Sequence, residues 1–365
     1  MMCCPGGSSG LVSPPGGPVF GSIMTKQSVS LKDIARRCGV SVATVSKALN
    51  DQSDIGAETK ELVRQAARDM GYSPNSAARS LKMSKTDNIG VLFTDEARSG
   101  LTHDYFATVL DAFKRCAESQ GYDITFINAN RSRVNRMSYL EHARYRGFDG
   151  VVIACVNFSD PEVRELIESE LPVVTIDHIF QGRISVHSDN VDGIRQLVTY
   201  CYSQGHRKIA YIHGLPSAVT IDRISSFYRT TEMLGIHVPD EYMVPVAYRD
   251  SVAAREATVR LLDLPDPPTC ILFPDDYSAL GGINELNARG LKIGKDIAIA
   301  GYDGITITRI TEPALCTVQQ DMEGIGRVAA EKLIELISHP RTTLIESIVM
   351  PVTLVKGMSV QELKK

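Results

Sequence analysis

The stretch SLKDIARRCGVSVATVSKALN, residues 30–50, predicts two short helices joined by a tight turn. Ser30 is suited to cap the first helix, with Asp33 near the positive end of the helix dipole. Gly39 ends that helix, and Ser41 is suited to cap the second one. Each helix has an apolar face at helical spacing, formed by Leu31, Ile34 and Ala35 in the first and by Val45, Ala48 and Leu49 in the second. Two helices with such a short connection form a helix-turn-helix.

In a helix-turn-helix, the second helix enters the DNA major groove and its N-terminal residues contact base edges. Val42 and Ala43 are expected to read bases by apolar contact, for example with a thymine methyl group. The residues that offer hydrogen bonds or charge to bases and phosphates are Ser41, Thr44, Ser46, Lys47 and Asn50. For the pattern alone, a helical hairpin in an unrelated core is the alternative interpretation.

The continuation of the chain makes this pattern more specific. The run DIARRCGVSVATVSKALN is followed by GYSPN at 71–75, by AARSLK at 77–82 and by the strand opening NIGVLF at 88–93. As a set, these segments resemble the start of the LacI/GalR family of bacterial transcription regulators.

The resemblance implies a DNA-binding domain over residues 25–73, completed by a third helix at about 58–70, and a hinge helix with its linker over residues 74–87. Leu81 falls at the family's hinge leucine, which is pushed into a minor-groove base step and kinks the duplex. An ordinary linker leucine is the alternative for this position. The other hinge positions near the minor groove and the phosphates are Asn75, Ala78 and Arg79.

Composition and charge distribution indicate a globular protein with more than one domain. The chain has 365 residues, of which 43% are hydrophobic and 22% are charged, as in ordinary soluble proteins. No apolar run approaches the length of a membrane span. Residues 25–85 carry 11 Lys+Arg and 6 Asp+Glu, a net charge of +5, and residues 1–24 carry none, so the remainder carries −9. A basic head on an acidic body is typical of a nucleic-acid module joined to a small-molecule module.

The N-terminal leader and the cysteines bear on the compartment. Residues 1–24 are rich in Gly, Pro and Ser, and we expect them to be disordered or to precede the true start at Met24. They lack the charged and apolar regions of a secretory signal. Beyond the leader, cysteines are scattered in apolar runs without a CxxC or a paired metal spacing. These features predict a reduced, cytoplasmic protein that needs neither metal nor cofactor.

From residue 88 onward, short apolar runs alternate with amphipathic stretches. The strand candidates are IGVLF at 89–93, YDITFI at 122–127, GVVIA at 150–154, PVVTI at 172–176, KIAYIH at 208–213, TCILF at 269–273 and IAIAGY at 297–302. The helix candidates are residues 104–120, 189–203, 251–262, 277–289 and 321–337. Near-continuous apolar strands separated by helices are typical of parallel βαβ units, and two such sheets are expected.

The predicted fold is an all-α helix-turn-helix DNA-binding domain followed by an α/β two-lobed periplasmic-binding-protein-like domain with parallel sheets. The resemblance places this second, effector-binding and dimerisation domain at residues 88–365. Lobe one would span about 88–187 plus a C-terminal crossover segment, and lobe two about 189–316 plus the last strand. The chain would cross between the lobes three times. Ligands of open α/β sheets bind outside the carboxyl ends of the strands, so residues that follow strands are the informative ones.

Charged side chains follow several of these strands. Asp177 follows PVVTI, and Arg223 lies at the start of the helix after KIAYIH. Asp275 follows TCILF, and Asp303 follows IAIAGY. Arg223, Asp275 and Asp303 match effector-contacting positions of the family. Carboxylates and a guanidinium can hold vicinal hydroxyls with paired hydrogen bonds, so the expected effector is a sugar or a sugar derivative. For each acid taken alone, strand-end capping or a solvated loop is the alternative.

Further residues are assigned around this site. Asp276 is interpreted as the cap of the helix that begins near Tyr277, and not as a ligand contact. Tyr105 and Phe106 lie where the family often presents an aromatic ring to the effector, with a core position at the helix start as the alternative. Gln320, at the third crossover, is a candidate of the same kind.

The sequence departs from the family pattern in two places. The loop at 94–103 lacks the usual Asn-Pro-Phe-Phe pattern, and Ser226 stands where a glycine is usual. These departures leave the identity of the effector open. Repression relieved by an inducer is the expected sense of regulation, and co-repression by a nucleobase or another non-sugar metabolite is the alternative.

Other classes of protein agree less well with the sequence. The segment GIGRVAA at 324–330 lacks the third glycine of a dinucleotide site and follows no predicted strand. Asp275 and Asp276 are adjacent at a strand end, whereas the paired carboxyls of a glycosidase face each other. A secreted solute-binding protein of the same fold would need an export signal and no DNA-binding head. We therefore expect a regulator and not an enzyme.

The expected partners are pseudo-palindromic double-stranded operator DNA, a small-molecule effector and a second copy of the chain. A homodimer places two recognition helices in successive major-groove faces. The chain ends at MPVTLVKGMSVQELKK, residues 350–365, about ten residues after the last strand expected there, and it has no leucine heptads, so a dimer is favoured over a tetramer.

Overall fold

The computed structural model describes residues 29–72, 85–94, 100–127 and 137–363. The chain falls into two compact units, one containing residues 29–72 and the other containing residues 85–363. The predicted leader lies outside the described residues, and so do the predicted hinge residues Asn75, Ala78, Arg79 and Leu81.

The N-terminal unit consists of three helices, α1 (Leu31–Cys38), α2 (Val42–Leu49) and α3 (Ala57–Asp69). The backbone N and the hydroxyl of Ser30 both donate to the Asp33 carboxylate, at 2.9 and 2.6 Å, which holds the start of α1. Gly39 ends α1 in the left-handed conformation, with φ 68°. The helices pack around buried apolar residues, including Ile34, Val45 and Val63, one from each helix. The predicted helix-turn-helix is confirmed.

The described strands and helices of the C-terminal unit alternate along the chain. The strands are β1 (Asn88–Phe93), β2 (Asp123–Phe126), β3 (Gly150–Ala154), β4 (Val173–Ile176), β5 (Ile184–Ser188), β6 (Ile209–His213), β7 (Met243–Pro245), β8 (Cys270–Leu272), β9 (Ala298–Ala300), β10 (Thr317–Gln320), β11 (Ser347–Met350) and β12 (Val352–Val355). The helices are α4 (Asp104–Ser119), α5 (Tyr139–Arg146), α6 (Pro161–Glu168), α7 (Asn190–Ser203), α8 (Ala218–Met233), α9 (Ser251–Leu262), α10 (Asp276–Ala288) and α11 (Met322–Ser338).

These strands form two parallel sheets, one in each lobe, and a third small sheet. The lobe-one sheet has six strands in the order β11-β5-β4-β3-β1-β2, and the lobe-two sheet has four in the order β7-β6-β8-β9. β10 and β12 form a separate antiparallel pair. The two predicted parallel sheets are therefore present, but the expectation of two sheets missed this antiparallel pair.

The chain passes between the lobes at three places. It leaves lobe one after β5, returns after β10 to form α11, and leaves again between β11 and β12. In the core of lobe one, α11 packs against α4 and against the buried residues of β3 to β5. Ligands of open α/β sheets bind outside the carboxyl ends of the strands, so the residues that follow the parallel strands are the candidates for a site between the lobes.

The cysteines and the helix lengths complete this description. The described cysteines are free thiols, and the Sγ atoms of Cys201 and Cys270 lie 3.6 Å apart in the core of lobe two. None of the helices formed by the described residues combines the length and the apolar character that a bilayer crossing requires.

Candidate ligand cleft and nucleic-acid interface

Asp177 lies directly after β4, at the carboxyl end of the lobe-one sheet. Its backbone takes the left-handed conformation, with φ 58°, which turns the chain sharply at the strand end. The Tyr105 hydroxyl, from the first turn of α4, donates to Asp177 Oδ2 at 2.8 Å. The second carboxylate oxygen, Oδ1, is buried and no described group makes a well-formed hydrogen bond to it, although the Ser188 backbone N–H is near enough to lower the pKa of the carboxylate. A buried acceptor of this kind is costly unless a donor occupies the site, so Asp177 is prepared to accept a ligand hydroxyl or amine.

Arg223 lies in α8 at the facing edge of lobe two, and only 3% of its surface is exposed. Its Nε donates to Asn190 Oδ1 at 2.8 Å, and its Nη1 donates to the Pro274 carbonyl at 2.9 Å. The guanidinium carbon lies 3.6 Å from the centre of the Tyr302 ring, a cation–π contact. These partners fix the orientation of the guanidinium, so its position does not depend on a ligand.

The two lobes bring these groups into one cleft. The pKa of the Tyr105 hydroxyl is raised well above its usual range, first by burial and then by the Asp177 carboxylate, and the lobe-two groups Asp303 and Arg223 also act on it. Burial likewise raises the pKa of Asp177, and the Tyr105 hydrogen bond and the Arg223 charge oppose that shift. A direct contact shows that the lobes meet at this edge: Arg249 of lobe two donates to Asp104, the neighbour of Tyr105 at the start of α4, at 2.8 Å.

Asp303 lies just beyond β9 and has an unusual backbone conformation, with φ 110°. Gln320 Nε2 donates to Asp303 Oδ1 at 2.7 Å, so the candidate from the third crossover contacts a candidate from a strand end. Burial raises the pKa of Asp303 well above its usual range, opposed mainly by the Arg223 charge. Backbone strain of this kind persists where the surrounding structure enforces it, and it is common at ligand sites.

Tyr105 and Phe106 have different surroundings. Tyr105 is directed at Asp177, as described above. The Phe106 ring makes edge-to-face contacts with Phe93 and His103, at centroid distances of 5.5 and 4.9 Å. Both residues belong to the buried core of lobe one, but only the Tyr105 hydroxyl has a bond to a cleft carboxylate.

The roles of Asp275 and Asp276 differ from the interpretation made from sequence. Asp275, and not Asp276, is the cap of α10: Asp275 Oδ1 accepts from the Ser278 backbone N at 2.7 Å. Asp276 is the first helical residue, and its carboxylate accepts from the backbone N of Gly304 and Ile305 and from the Thr317 hydroxyl, at 2.6 to 3.0 Å. The prediction that Asp276 caps the helix was wrong because the helix begins one residue earlier than its apolar pattern indicated. Asp275 remains a predicted effector contact that also caps a helix.

Three residues of the cleft were missed from the sequence. Asn190 and Tyr302 hold Arg223 as described above, and Tyr248 lies near it, with the guanidinium carbon 6.0 Å from the ring centre. Tyr248 exchanges a hydrogen bond of 2.9 Å with the Thr220 hydroxyl. Tyr248 follows β7, a strand of three residues that the apolar pattern did not reveal. Tyr302 ends the predicted strand IAIAGY and could have been found by the rule that located Asp303.

The predicted DNA-contacting residues lie on or beside α2. Ser41 caps the helix by accepting from the Thr44 backbone N at 3.0 Å, and the two hydroxyls are 2.8 Å apart. The Asn50 amide donates to the Ser46 carbonyl at 2.7 Å. Val42 is 40% exposed although it is apolar. The residues that are exposed and available to a partner are Ser41, Val42, Ala43, Lys47 and Asn50, and the half-buried ones are Thr44 and Ser46.

Comparison with known proteins agrees with both parts of the chain. A family model described as bacterial regulatory proteins, lacI family, matches residues 30–75, and one described as a periplasmic binding protein-like domain matches residues 198–360. The probable HTH-type transcriptional repressor ExuR of Bacillus subtilis (strain 168) is 30% identical over 319 residues, which cover 86% of this chain and 93% of ExuR. The chain belongs to the LacI family.

Other relatives of this LacI-family chain support the same conclusion. The HTH-type transcriptional repressor PurR of Vibrio atlanticus (strain LGP32) is 30% identical over 316 residues, which cover 84% of this chain and 92% of PurR. The lac repressor dimer bound to operator and the anti-inducer ONPF has the same fold, with a TM-score of 0.78 at 24% identity, over 92% of this chain and 100% of that one. A LacI-family regulator from Enterococcus faecium with bound ribose has a TM-score of 0.66 at 25% identity, over 76% of this chain and 100% of that one.

The LacI-family chain is therefore a helix-turn-helix transcriptional regulator with an effector-binding domain. Its named relatives are transcriptional repressors and not enzymes, in agreement with the prediction from sequence.

Lys47 gives a test of the nucleic-acid interface of this LacI-family regulator. Its ammonium forms an ion pair with Asp54, and both side chains are about half exposed. A phosphate can replace Asp54 as the partner, with release of a counterion. The logarithm of the binding constant for a mixed-sequence duplex falls linearly with the logarithm of the salt concentration. Lys47→Ala is expected to reduce the steepness of this salt slope by about 0.9, measured by fluorescence anisotropy between about 50 and 200 mM salt.

The control is Lys114→Ala, which removes a lysine paired with Glu118 in the C-terminal unit. This variant should keep the wild-type salt slope. Equal slopes for the wild type and for Lys47→Ala would show that Lys47 does not neutralise a phosphate.

Asp276 gives a test of the lobe-two core of the regulator. Burial raises the pKa of Asp276 to about 8 despite three hydrogen-bond donors. Because this pKa is higher in the folded state than in the unfolded chain, the stability that Asp276 contributes is complete in acid and is lost as the pH rises towards 8. The loss is at most about 1.4 kcal/mol per pH unit. Asp276→Asn, which cannot ionise, is expected to gain in melting temperature relative to the wild type between about pH 5 and pH 8, measured by calorimetry.

Asp263→Asn is the matched control. The Arg289 hydrogen bond and charge lower the pKa of Asp263, so its contribution is lost only as the pH falls through its lowered folded-state pKa. The melting temperature of Asp263→Asn should therefore change with pH in the same way as that of the wild type over this range. A difference in melting temperature between the wild type and Asp276→Asn that stayed constant over this pH range would contradict the raised pKa of Asp276.

Proposed function

We propose that the protein is a homodimeric repressor of carbohydrate-utilisation genes whose operator affinity is changed by a sugar or a sugar derivative bound between the two lobes. The observation that carries the effector class is the set of fixed polar groups in the cleft: Asp177 with one unpartnered carboxylate oxygen, the Tyr105 hydroxyl, the Asp303 carboxylate and the oriented Arg223. A polyol offers several donors and acceptors at close spacing, which suits such a set. A site of this kind rejects analogues that lack a hydroxyl, because its buried polar groups would be left unpaired.

Two of the structural relatives support this effector class. The Enterococcus faecium regulator holds ribose, and a further neighbour of the same fold is a CelR–cellobiose complex, with a TM-score of 0.67 at 23% identity. The alternative is a co-repressor such as a nucleobase. The aromatic ring of Tyr248, which is half-buried beside Arg223, offers a flat surface for it.

The proposal assigns DNA binding to residues 25–73, the hinge to 74–87, and effector binding and dimerisation to 88–365. In the dimer, two copies of α2 meet successive major-groove faces of a pseudo-palindromic operator, and paired hinges bend its centre at Leu81. The effector shifts the equilibrium between two lobe arrangements by no more than its difference in affinity for them. A dimer on operator DNA is the state described for the lac repressor relative.

Thermal unfolding of the purified full chain against a panel of compounds tests the effector class. The panel contains neutral monosaccharides and disaccharides, sugar acids, nucleobases and nucleosides. A ligand that binds only the folded state stabilises it by about 2.7 kcal/mol at a hundredfold excess over its Kd, which raises the melting temperature by several degrees. We expect a sugar or a sugar acid to do so. A response to nucleobases alone would replace the proposal by the co-repressor alternative.

A further inference from the structure

An ion pair links the two lobes at the cleft. Arg249 belongs to lobe two and lies between β7 and α9, whereas Asp104 is the first residue of α4 in lobe one. Arg249 Nη1 donates to Asp104 Oδ2 at 2.8 Å, and Nη2 donates to the Thr102 carbonyl at 3.3 Å. The Arg249 side chain is only 10% exposed, and that of Asp104 is 51% exposed. A guanidinium that is largely withdrawn from water interacts more strongly with a carboxylate than a pair on an open surface does.

Arg249 is also tied to a predicted effector contact. Its backbone N donates to Asp275 Oδ2 at 2.9 Å, and its backbone is left-handed, with φ 60°. A residue other than glycine takes this conformation only where its surroundings enforce it. The guanidinium carbon lies 4.6 Å from the centre of the Tyr277 ring, on the first turn of the helix that Asp275 caps. The Asp275 carboxylate therefore sets the position from which the Arg249 side chain reaches across the cleft.

We propose that Arg249 and Asp104 form a latch that holds the lobes together, and that Asp275 couples this latch to the bound effector. Arg249 is a positioning residue in this proposal: it acts on the ligand by stabilising the closed arrangement of the lobes. The apparent Kd of a ligand that binds the closed arrangement is its intrinsic Kd divided by the closed fraction, so the latch increases effector affinity without touching the effector. The coupling to the effector rests on the proposed function, whereas the latch itself does not.

The latch predicts a specific pattern of hydrogen–deuterium exchange in the full-length protein without added ligand. Arg249→Gln and Asp104→Asn are each expected to increase amide exchange in both segments that they join, 100–110 and 249–262, by about three- to tenfold. Since Arg249→Gln already breaks the contact that Asp104→Asn breaks, the double variant should exchange no faster than Arg249→Gln alone. Asp275→Asn keeps an oxygen for the Ser278 cap but loses an acceptor for Arg249, so it should also increase exchange in lobe one at 100–110.

Arg289→Gln is the matched control, because Arg289 pairs with Asp263 and Glu285 within lobe two. It should leave the exchange of 100–110 at the wild-type rate. The charge-reversed pair Asp104→Arg with Arg249→Asp should restore part of the protection, which a merely misfolded variant could not do. The latch would be overturned if exchange increased only around each substituted residue. It would also be overturned if the increase in the double variant equalled the sum of the increases in the two single variants.

The same variants separate the latch from the proposed function. In the thermal panel, Arg249→Gln should weaken binding of any responding compound by about three- to tenfold while keeping the order of preference among compounds. Coupled exchange without any sugar response would leave the latch in place and reject the proposed effector class. A changed order of preference would show that Arg249 contacts the ligand itself, and that outcome contradicts the positioning role.

Discussion

Asp177→Asn is expected to weaken effector binding by roughly ten- to 150-fold, since a hydrogen bond to a charged group contributes about 1.5–3 kcal/mol. The amide oxygen of asparagine can still accept the Tyr105 hydroxyl, in the place of Oδ2. The amide NH2 then replaces Oδ1, so a donor faces the ligand where the wild type presents an acceptor. Binding of whichever sugar gives the largest thermal response would be measured by isothermal titration calorimetry.

The fold should tolerate this substitution. Burial raises the pKa of Asp177, so the folded state disfavours the ionised carboxylate, whereas the neutral amide carries no such cost. The melting temperature of Asp177→Asn should therefore equal or exceed that of the wild type. Asp222→Asn makes the same chemical change at an exposed position of α8, next to Arg223, and should leave ligand affinity unchanged. Wild-type affinity in Asp177→Asn would exclude Asp177 from the effector site.

Gly326→Ala is expected to lower the melting temperature by several degrees. Gly326 lies in α11 where this helix crosses α4, and an added Cβ would lie 2.0 Å from the Val109 carbonyl oxygen and 2.9 Å from the Phe113 backbone N. The obstacle is helix backbone, which cannot rotate away as a side chain can. Overpacking of this kind costs about 1–3 kcal/mol or more, which outweighs the gain of about 1 kcal/mol in helix propensity when the backbones are forced apart. For a domain of this size, each kcal/mol corresponds to roughly 2–4 °C.

Arg327→Ala provides the comparison on the neighbouring residue of the same helix. Arg327 is 56% exposed and pairs with Glu331 one turn away, so its loss should change the melting temperature little. Differential scanning calorimetry of the three proteins is the measurement. If Gly326→Ala melted at or above the wild-type temperature, α4 and α11 would have to be less closely packed than the structure indicates.

Gly326 also explains a segment that the sequence left without a role. The glycines of GIGRVAA fail as a dinucleotide fingerprint, and the structure shows Gly326 at a helix crossing and Gly324 against the Asp321 cap of α11. At Gly326 the α4 backbone lies where a side chain would be, whereas at Gly324 the obstacle is the Asp321 side chain three residues earlier. The requirement at Gly326 arises from residues distant in sequence, so the sequence pattern could not reveal it.

Long elements with a clear period were predicted with the greatest accuracy. Predicted helix 251–262 coincides with α9, and predicted helix 104–120 differs from α4 by one residue at its end. The strands that were missed are short: β7 has three residues and ends at Pro245, β10 and β11 have four residues each, and β5, which reads ISVHS, has five. A three-residue strand has no measurable period, and its pairing with β6 depends on a segment about 30 residues away.

The sequence by itself determined the helix-turn-helix, the two parallel sheets and the positions at which acids and an arginine follow strands. These features depend on capping residues, turn glycines and apolar periodicity, which are local and can be read along the chain. Only the tertiary structure decided which of these side chains meet: Tyr105 with Asp177, Gln320 with Asp303, Arg223 with Asn190, and Arg249 with Asp104 across the lobes. It also decided that Asp275 caps α10 while Asp276 is buried against Gly304 and Thr317. Such pairings depend on how distant segments pack, and local periodicity carries no information about the partner that a side chain will find.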